Sequence, residues 1–437
     1  MNYLFSIMCK ALMAFPVIFC LFSYNASAQI NWVRNGSNPV LDLGAPGSWD
    51  AGSVISPVVL FINGEYQMWY GGRNNNGFEI GYATSPDGVA WTRYPGNPVM
   101  TKGTLGSWDA GSVAPMSVVF DGNTYHMWYS GESTGFLTTR IGYAASSDGI
   151  HWMKADSINP VINIGPLDSW ESRYVTGASV IYDGSIFHMW YSGNDYFITP
   201  VITGEIGYAT STDGIHWSKY ADNPVLTYGV PGEWDENGAE LPTVIFDDIS
   251  QTYQMWYTGQ KTGLLYDVGF ATSTDGINWT KSSDNPVLEN GFAGTWEGLS
   301  VIYPKVIFHD NQYKMWYCGI NNAANFIFRI GHATSDLTGM EISDENLGVP
   351  AGFALEQNYP NPFNPTTSIR FTLPLALQVK LSVFNTLGQH IATLLNERKP
   401  AGSYETVFDG SKLSSGIYYY FFEAGEFKDV RKMLLAK

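Results

Sequence analysis

The stretch MWYSGESTGFLTTRIGYAASSDGIHW (residues 127–152) is the most informative about the architecture, because close copies of it recur along the chain. It joins a Met-Trp-Tyr-x-Gly run to an Ile-Gly-Tyr-Ala run and ends in Asp-Gly-x-x-Trp. Both runs are rich in aromatic and β-branched residues, which favour strands, and Asp-Gly is a hairpin turn signal. The stretch therefore predicts neighbouring antiparallel strands joined by tight turns.

Three columns of Trp mark the copies of this unit, and a period of about 60 residues is typical of repeat architectures. The first column, spaced 59 to 64 residues apart, contains Trp49, Trp108, Trp170, Trp234 and Trp296. The second, in the Met-Trp-Tyr run, contains Trp69, Trp128, Trp190, Trp256 and Trp316. The third contains Trp91, Trp152, Trp217 and Trp279 and has no member in the last copy.

The missing third-column Trp stands at the other end of the chain. Trp32, with Asn38-Pro39-Val40 after it, matches Trp152, with Asn159-Pro160-Val161 after it. Such an offset is expected when a ring closes and the first and last segments share one sheet. An open solenoid is the alternative, but it would not need the split unit. The first copy holds four candidate strands, Val54 to Phe61, Glu65 to Gly71, Glu79 to Thr84 and Val89 to Tyr94.

We therefore predict an all-β protein: a five-bladed β-propeller with four-stranded blades over residues 29–346, in which the N-terminal strand closes the last blade. The formal charge of −17 argues against a protein that binds nucleic acid through its phosphates, since that affinity rests largely on Lys and Arg. Only Cys318 lies outside the first 28 residues. We interpret it as a small buried residue and expect no internal disulfide.

Residues 1–28 are typical of a secretory signal peptide. Lys10 precedes an apolar stretch, and Ala26-Ser27-Ala28 is a small-x-small cleavage site. The apolar stretch is shorter than a membrane span requires, and we expect no transmembrane segment in the mature protein. The sequence thus predicts export.

A Gly/Pro-containing linker at residues 347–352 precedes a segment, 353–437, that contains no Trp. Its alternating runs predict a small antiparallel β-sandwich. The Tyr359-Pro-Asn-Pro-Phe-Asn-Pro-Thr-Thr367 opening, the Leu413-Ser-Ser-Gly-Ile-Tyr418 motif and the terminal Lys432-Met-Leu-Leu-Ala-Lys437 resemble the type A C-terminal sorting domain of the type IX secretion system. The resemblance implies contact with that secretion machinery and a secreted or outer-membrane-surface location. It also implies a domain that is often removed, with the cargo attached to lipopolysaccharide.

The Met-Trp-Tyr-x-Gly and Ile-Gly-Tyr-Ala wording of the five copies resembles the arabinanase, xylosidase and levansucrase type of five-bladed glycosidase, particularly families 43 and 130. The resemblance implies a protein that acts on a poly- or oligosaccharide. The Ser-x-Asp-Gly-x-x-Trp turn also resembles the Asp box of sialidases, with one residue fewer. We interpret the Asp of this turn as structural in either setting.

The family 43 pattern places a base Asp directly before the Pro of an innermost strand and an acid Glu two residues before such a Pro. No Asp precedes a Pro here, since the residues at that position are Ser56, Ala114, Leu241 and Tyr303. Glu240-Leu241-Pro242 fits the acid pattern, so Glu240 is the candidate general acid. The alternative is that Glu240 has a structural role and forms a salt bridge to Arg173 or Lys305. These two residues are also non-repeated, and they are candidate ligand contacts.

Every copy also has a carboxylate directly after its first-column Trp: Asp50, Asp109, Glu171, Asp235 and Glu297. One interpretation is a repeated loop cap. The other is an acidic ring at the entrance that binds ligand, holds Ca²⁺ at the propeller axis or, through Asp235 and Glu236, supplies the missing base. Tyr174 is a candidate sugar contact, as a non-repeated aromatic residue. No His or Cys spacing indicates a metal site.

Two hypotheses remain open at this point. The first is a secreted glycoside hydrolase or phosphorylase that uses Glu240. The second is a non-catalytic propeller that binds glycan or protein, favoured by the absent base Asp and by the close similarity of the copies.

Overall fold

The computed structural model describes residues 31–74, 76–135, 138–195, 204–248, 250–321, 327–336, 353–373, 377–399, 402–425 and 427–437. All regular elements in these ranges are β-strands. The predicted signal peptide (1–28) and linker (347–352) lie outside them. Within the described ranges there is no helix that is both long and apolar enough to cross a membrane.

The strands of the repeat region form five units. β1 (Val33–Arg34) precedes unit one, which contains β2 (Ser53–Ile62), β3 (Glu65–Arg73), β4 (Glu79–Ser85) and β5 (Thr92–Arg93). Unit two contains β6 (Ser112–Phe120), β7 (Tyr125–Glu132), β8 (Thr139–Ser146) and β9 (Met153–Lys154). Unit three contains β10 (Tyr174–Tyr182), β11 (Phe187–Asn194), β12 (Gly204–Ser211) and β13 (Ser218–Lys219). Unit four contains β14 (Gly238–Asp247), β15 (Thr252–Gln260), β16 (Tyr266–Ser273) and β17 (Thr280–Lys281). Unit five contains β18 (Ser300–His309), β19 (Gln312–Ile320) and β20 (Phe328–Asp336).

Each unit is an antiparallel meander in which consecutive strands pair. Unit five is completed by the N-terminal strand, since Val33 pairs with Thr334 and Arg34 with Ala333. This is the pairing expected from Trp32. The fourth strand of unit one is much shorter than expected, because only Thr92–Arg93 pair with β4.

The first strands of the five units contact one another in a closed ring. β2 lies beside β6, β6 beside β10, β10 beside β14 and β14 beside β18, and β18 returns to β2. Single parallel bridges, Thr139 to Tyr174 and Gly204 to Gly238, join units two, three and four into one sheet. The first strand of each unit therefore faces the centre of the ring.

Trp side chains fill the space between neighbouring units. The second-column Trp is fully buried in every unit. The third-column Trp of the next unit packs edge-on against it, with ring centroids 6.0 to 6.2 Å apart in all five pairs. Trp32 on Trp256 is one of these pairs and Trp91 on Trp316 is another, so the packing runs around the complete ring. Most of the Trp content is thus architectural.

The C-terminal segment forms two antiparallel sheets. One contains β21 (Ala354–Leu355), β22 (Thr366–Leu373) and β25 (Gly402–Asp409). The other contains β23 (Leu377–Asn385), β24 (His390–Lys399), β26 (Gly416–Ala424) and β27 (Phe427–Leu435). Apolar side chains of both belong to one buried cluster, in which the Phe371 and Phe422 rings lie 4.8 Å apart.

Replacing the Trp that closes the ring should destabilise the repeat region specifically. We expect Trp32→Ala to lower its free energy of unfolding by about 2–4 kcal/mol, because the ring packed on Trp256 is lost. The measurement is urea unfolding followed by Trp fluorescence, which reports on the repeats alone since residues 353–437 contain no Trp. Val33→Ala is the control, because Val33 is 68% exposed in the same segment. Equal losses in the two variants would contradict the role of Trp32 in closure.

Candidate active site

A cavity of about 300 Å³ opens at the centre of the ring. Side chains of all five units line it, mostly from first strands and the ends of second strands. Its aromatic lining residues are Phe78, Tyr174, Tyr266 and Tyr303, and its acidic lining residues are Glu132 and Glu240. Hydroxyl and amide groups complete the polar lining: Ser112, Ser130, Thr139, Thr176, Ser192 and Asn194. Such a mixture of stacking surfaces and hydrogen-bonding groups suits a polyhydroxylated ligand.

Glu240 is the single charged residue at its position in the five first strands. It pairs with Thr258, just before a bulge in β14. The residues in the same register are Ile55, Ala114, Thr176 and Ile302. Alignment on the prolines would place Val113 there, but unit two bulges differently and Pro115 pairs with Tyr129. Pro115 is therefore structurally equivalent to Ser56, and not to Pro57 as an alignment of the prolines would have it.

The Glu240 carboxyl lies in the cavity wall between two glycine backbones. It packs against Gly204 of β12 and Gly238 of β14. The side chain is half-buried and lines the cavity. Burial raises the pKa of Glu240 to about 7, and no charged neighbour contributes to the shift. The carboxyl can therefore hold a proton near neutral pH, as a general acid must.

Glu132, at the end of β7, is a second carboxylate in this cavity that the sequence interpretation did not single out. Burial raises its pKa, and a hydrogen bond with the Ser112 hydroxyl opposes that shift. The sequence did contain a signal for Glu132, because the residue directly after Met-Trp-Tyr-x-Gly is different in every unit. Its five occupants are Arg73, Glu132, Asn194, Gln260 and Ile320.

Tyr174 lines the cavity, whereas Arg173 stands behind it. The Arg173 guanidinium lies 5.0 Å from the centre of the Tyr174 ring. Arg73 is placed similarly over Phe78, at 4.7 Å. Cations on aromatic faces stabilise both rings at the edge of the cavity. Among the described lining residues of the cavity itself there is no Lys or Arg.

The five carboxylates that follow the first-column Trp lie outside the cavity. Each is buried and binds a Lys or Arg from the last strand of its own unit. The pairs are Asp50–Arg93 (2.8 Å), Asp109–Lys154 (2.6 Å), Glu171–Lys219 (2.6 Å), Asp235–Lys281 (2.6 Å) and Glu297–Arg34 (2.9 Å). In four units the Tyr hydroxyl of the Met-Trp-Tyr run also donates to the carboxylate. These contacts account for the repeated carboxylate without any ligand.

The structure does not bring Asp235 or Glu236 to Glu240. Asp235 accepts hydrogen bonds from Lys281 and Tyr257, and Glu236 accepts one from the Gly232 N–H in its own loop. Neither lines the cavity. Glu132 is thus the carboxylate that shares the cavity with Glu240.

Lys305 lies in a second, smaller chamber of about 20 Å³ on the same axis. Tyr303 and Met116 line both spaces. The chamber has no carboxylate in its described lining, and burial lowers the pKa of Lys305 to about 8. A cationic side chain among neutral groups does not fit Ca²⁺, which prefers carboxylate and carbonyl oxygens. Nor do His, Cys, Asp and Glu side chains form any metal-binding group of three or more in the described ranges.

Cys318 is buried and serves as a hydrogen-bond acceptor between units. The Ser56 N–H of unit one donates to its Sγ at 3.2 Å. Equivalent bonds run from the Leu241 N–H to Ser192 and from the Tyr303 N–H to Thr258. Burial raises the pKa of the Cys318 thiol, which keeps it protonated and unreactive.

Residues 112–331, half of the chain, match the Glycosyl hydrolases family 32 N-terminal domain. The chain belongs to this family. The match confirms the resemblance to propeller glycosidases that the sequence indicated.

This glycosyl hydrolase domain has both curated and structural relatives. An uncharacterized protein of Mycobacterium tuberculosis (strain CDC 1551 / Oshkosh) is 28% identical over 280 residues, which cover 62% of this chain and 89% of the relative. A β-1,2-mannobiose phosphorylase of Thermoanaerobacter sp. (strain X514) is 33% identical over 135 residues, covering 28% of this chain and 43% of the relative. A solved structure is similar with a TM-score of 0.55 and 17% identity, covering 71% of this chain and 95% of that one. That structure is described as part of family 130 of mannoside phosphorylases, which contains glycoside hydrolases that target β-1,2-mannosidic linkages in Candida mannan.

A second match confirms the predicted sorting domain. Residues 357–436 match the Secretion system C-terminal sorting domain. The glycosyl hydrolase domain is therefore cargo of the type IX system, exported to the cell exterior or the outer-membrane surface.

Removing the buried amine of this glycosyl hydrolase domain should stabilise it in a pH-dependent way. Because the pKa of Lys305 falls from 10.5 to about 8 on folding, the unfolded chain binds more protons between these values, and stability rises with pH across that window. We expect Lys305→Met to raise the free energy of unfolding by up to about 3 kcal/mol at pH 7, with the gain shrinking to near zero above pH 10.5. Denaturant unfolding at both pH values measures it, with the exposed Lys261→Met as control. A pH-independent gain would argue that Lys305 acts through packing instead.

Proposed function

We propose that the exported domain hydrolyses a glycosidic bond in a neutral oligosaccharide bound in the central cavity. The observation that carries the proposal is Glu240, a carboxyl that burial alone brings to a pKa of about 7 in a cavity lined by hydroxyl and aromatic groups. The family membership supports the reaction class.

In the same proposal, the five four-stranded units are the blades of a five-bladed β-propeller over residues 29–346. The closed ring of first strands and the β1–β20 pairing support this. Residues 1–28 are the signal peptide, 347–352 the linker and 353–437 a sorting domain with the architecture of a β-sandwich. The two sheets on one apolar cluster support the last assignment.

Glu240 acts as the general acid and Glu132 as the base. Glu240 donates its proton to the glycosidic oxygen while the bond from that oxygen to the anomeric carbon breaks. Glu132 accepts a proton from water, and the water oxygen bonds to the anomeric carbon. Solvent then restores both protonation states. Two carboxyls with these roles are the minimum that glycoside hydrolysis requires, and the base comes here from a second strand instead of an Asp-Pro sequence.

Water, and not phosphate, is the acceptor in this proposal. A phosphate dianion is bound by Arg, Lys or a helix N-terminus. The described lining of the cavity contains two carboxylates and no cationic side chain, and the described chain has no helix. An anion would be repelled there, so we propose a hydrolase, although a named relative is a phosphorylase.

Substitution of the acid tests the mechanism. We expect Glu240→Gln to lower kcat by about 10²–10⁴ on natural oligosaccharides, because the leaving oxygen is no longer protonated. In the wild type, kcat should fall as pH rises through about 7, where Glu240 loses its proton. The measurement is kcat as a function of pH, on substrates found in a broad screen of oligosaccharides and aryl glycosides with and without phosphate. Asp235→Asn is the matched control for a carboxylate outside the cavity. Glycan binding without turnover in any variant would instead support a non-catalytic binding propeller.

The same variant has a stability signature. Because folding raises the pKa of Glu240 from 4.5 to about 7, the native state binds more protons in that window, and stability falls as pH rises through it. Glu240→Gln should therefore be more stable than the wild type at pH 8 and equal to it at pH 4. Thermal unfolding at the two pH values checks this, and a variant less stable at pH 8 would show that the carboxylate is compensated.

Removal of the sorting domain should separate export from folding. We expect the chain without residues 353–437 to accumulate, folded, in the periplasm, because the type IX signal is missing. Cell fractionation with the full chain as control measures this. Normal appearance of the truncated chain in the medium would refute the role of the segment.

A further inference from the structure

The Glu240 carboxyl occupies space that a side chain fills in the other units. Gly204 begins β12 and is bridged to Gly238 at the start of β14. An added Cβ at Gly204 would lie 2.0 Å from Glu240 Cγ, 2.2 Å from Cδ and 2.3 Å from Oε1. An added Cβ at Gly238 would lie 3.1 Å from Oε1. The carboxyl is thus seated on the bare backbone of β12.

The repeat shows that this glycine is exceptional. The residues at the position of Gly204, two before the first residue of the Ile-Gly-Tyr run and its variants, are Phe78, Thr139, Tyr266 and Phe328. Each begins or precedes a third strand and adjoins the first strand of the next unit. Phe78, for example, lies in the cavity wall with Ala114, which is in register with Glu240. The single glycine at the Gly204 position therefore faces Glu240, the single carboxylate at the equivalent position of the first strands.

The backbone does not require this glycine. Gly204 has no positive φ, unlike Gly177 or Gly214 nearby in the unit. Any residue could adopt its conformation, so conformational freedom is not the reason for it. The reason that remains is the close approach of Glu240.

We propose that Gly204 is a positioning residue that holds the Glu240 carboxyl in the cavity wall. A side chain at 204 would push the carboxyl out of its seat toward solvent. This would misplace the proton donor and restore the pKa of an ordinary exposed Glu. The inference rests on the proposed function of Glu240, but the steric coupling between the two positions is independent of it.

Gly204→Ala tests the catalytic part. We expect kcat to fall at least tenfold with KM less affected, and the alkaline limb of the pH–rate profile to move to lower pH. Gly36→Ala is the matched control, because no atom lies within 4 Å of an added Cβ there. A wild-type rate and pH profile in Gly204→Ala would overturn the proposal.

A double-mutant cycle tests the steric part without any substrate. Gly204→Ala should lower the thermal midpoint of the full chain by several degrees, and should cost much less in a Glu240→Ala background, where the seat is empty. Gly204→Phe combined with Glu240→Ala, which reproduces the Phe78 and Ala114 combination of the first two units, should be more stable than Gly204→Phe alone. Equal losses in both backgrounds would overturn the steric coupling. If the two positions are coupled in stability but the protein turns over no substrate, the steric contact between Gly204 and Glu240 is supported and the proposed function is rejected.

Discussion

The hydrogen bond from a buried indole to the carbonyl of a turn glycine is the contact on which the ring depends. Gly149 O accepts from Trp69 Nε1 at 2.7 Å and from Trp152 Nε1 at 3.0 Å. The same double acceptance recurs at Gly88, Gly214 and Gly276. One indole comes from the preceding unit and one from the turn's own unit, so each carbonyl links two neighbouring units through its two hydrogen bonds. At the seam, Trp32 and Trp256 keep the ring packing, and their N–H groups have no acceptor among the described residues. The N-terminal strand thus preserves the Trp–Trp ring packing where it closes the ring.

This scaffold leaves few positions at which chemistry can arise. The Trp columns and the Asp-Gly turns hold neighbouring units together, and the five carboxylate–cation pairs tie each first-column loop to the last strand of its own unit. The five copies diverge among the residues that line the central cavity. Glu240, Glu132 and Gly204 are each unique in their column. In a repeat protein of this kind, departure from the pattern is therefore better evidence of function than any repeated residue.

The sequence was sufficient for the repeats, the split unit and the sorting domain, because each is written in local patterns of turn residues and strand periodicity. It was insufficient for the site. Glu132 lies at the end of a strand, just after the repeated Met-Trp-Tyr-x-Gly motif, and only ring closure brings it to the same cavity as Glu240. The loop carboxylates were ambiguous for the same reason, since Asp50 and its partner Arg93 are 43 residues apart. Gly204 could not be distinguished from a turn glycine until the carboxyl was seen against its backbone.

Glu240 and Lys305 line two different axial spaces, which explains how a half-buried acid and a half-buried amine coexist. An ion pair between Glu240 and Lys305 would favour both charged forms and lower the pKa of the carboxyl. The acid would then have lost its proton at neutral pH. Instead Tyr303 lines both spaces, and burial alone acts on each group, raising the pKa of Glu240 and lowering that of Lys305. Because no opposite charge relieves either group, burial keeps the pKa of Glu240 raised and that of Lys305 lowered.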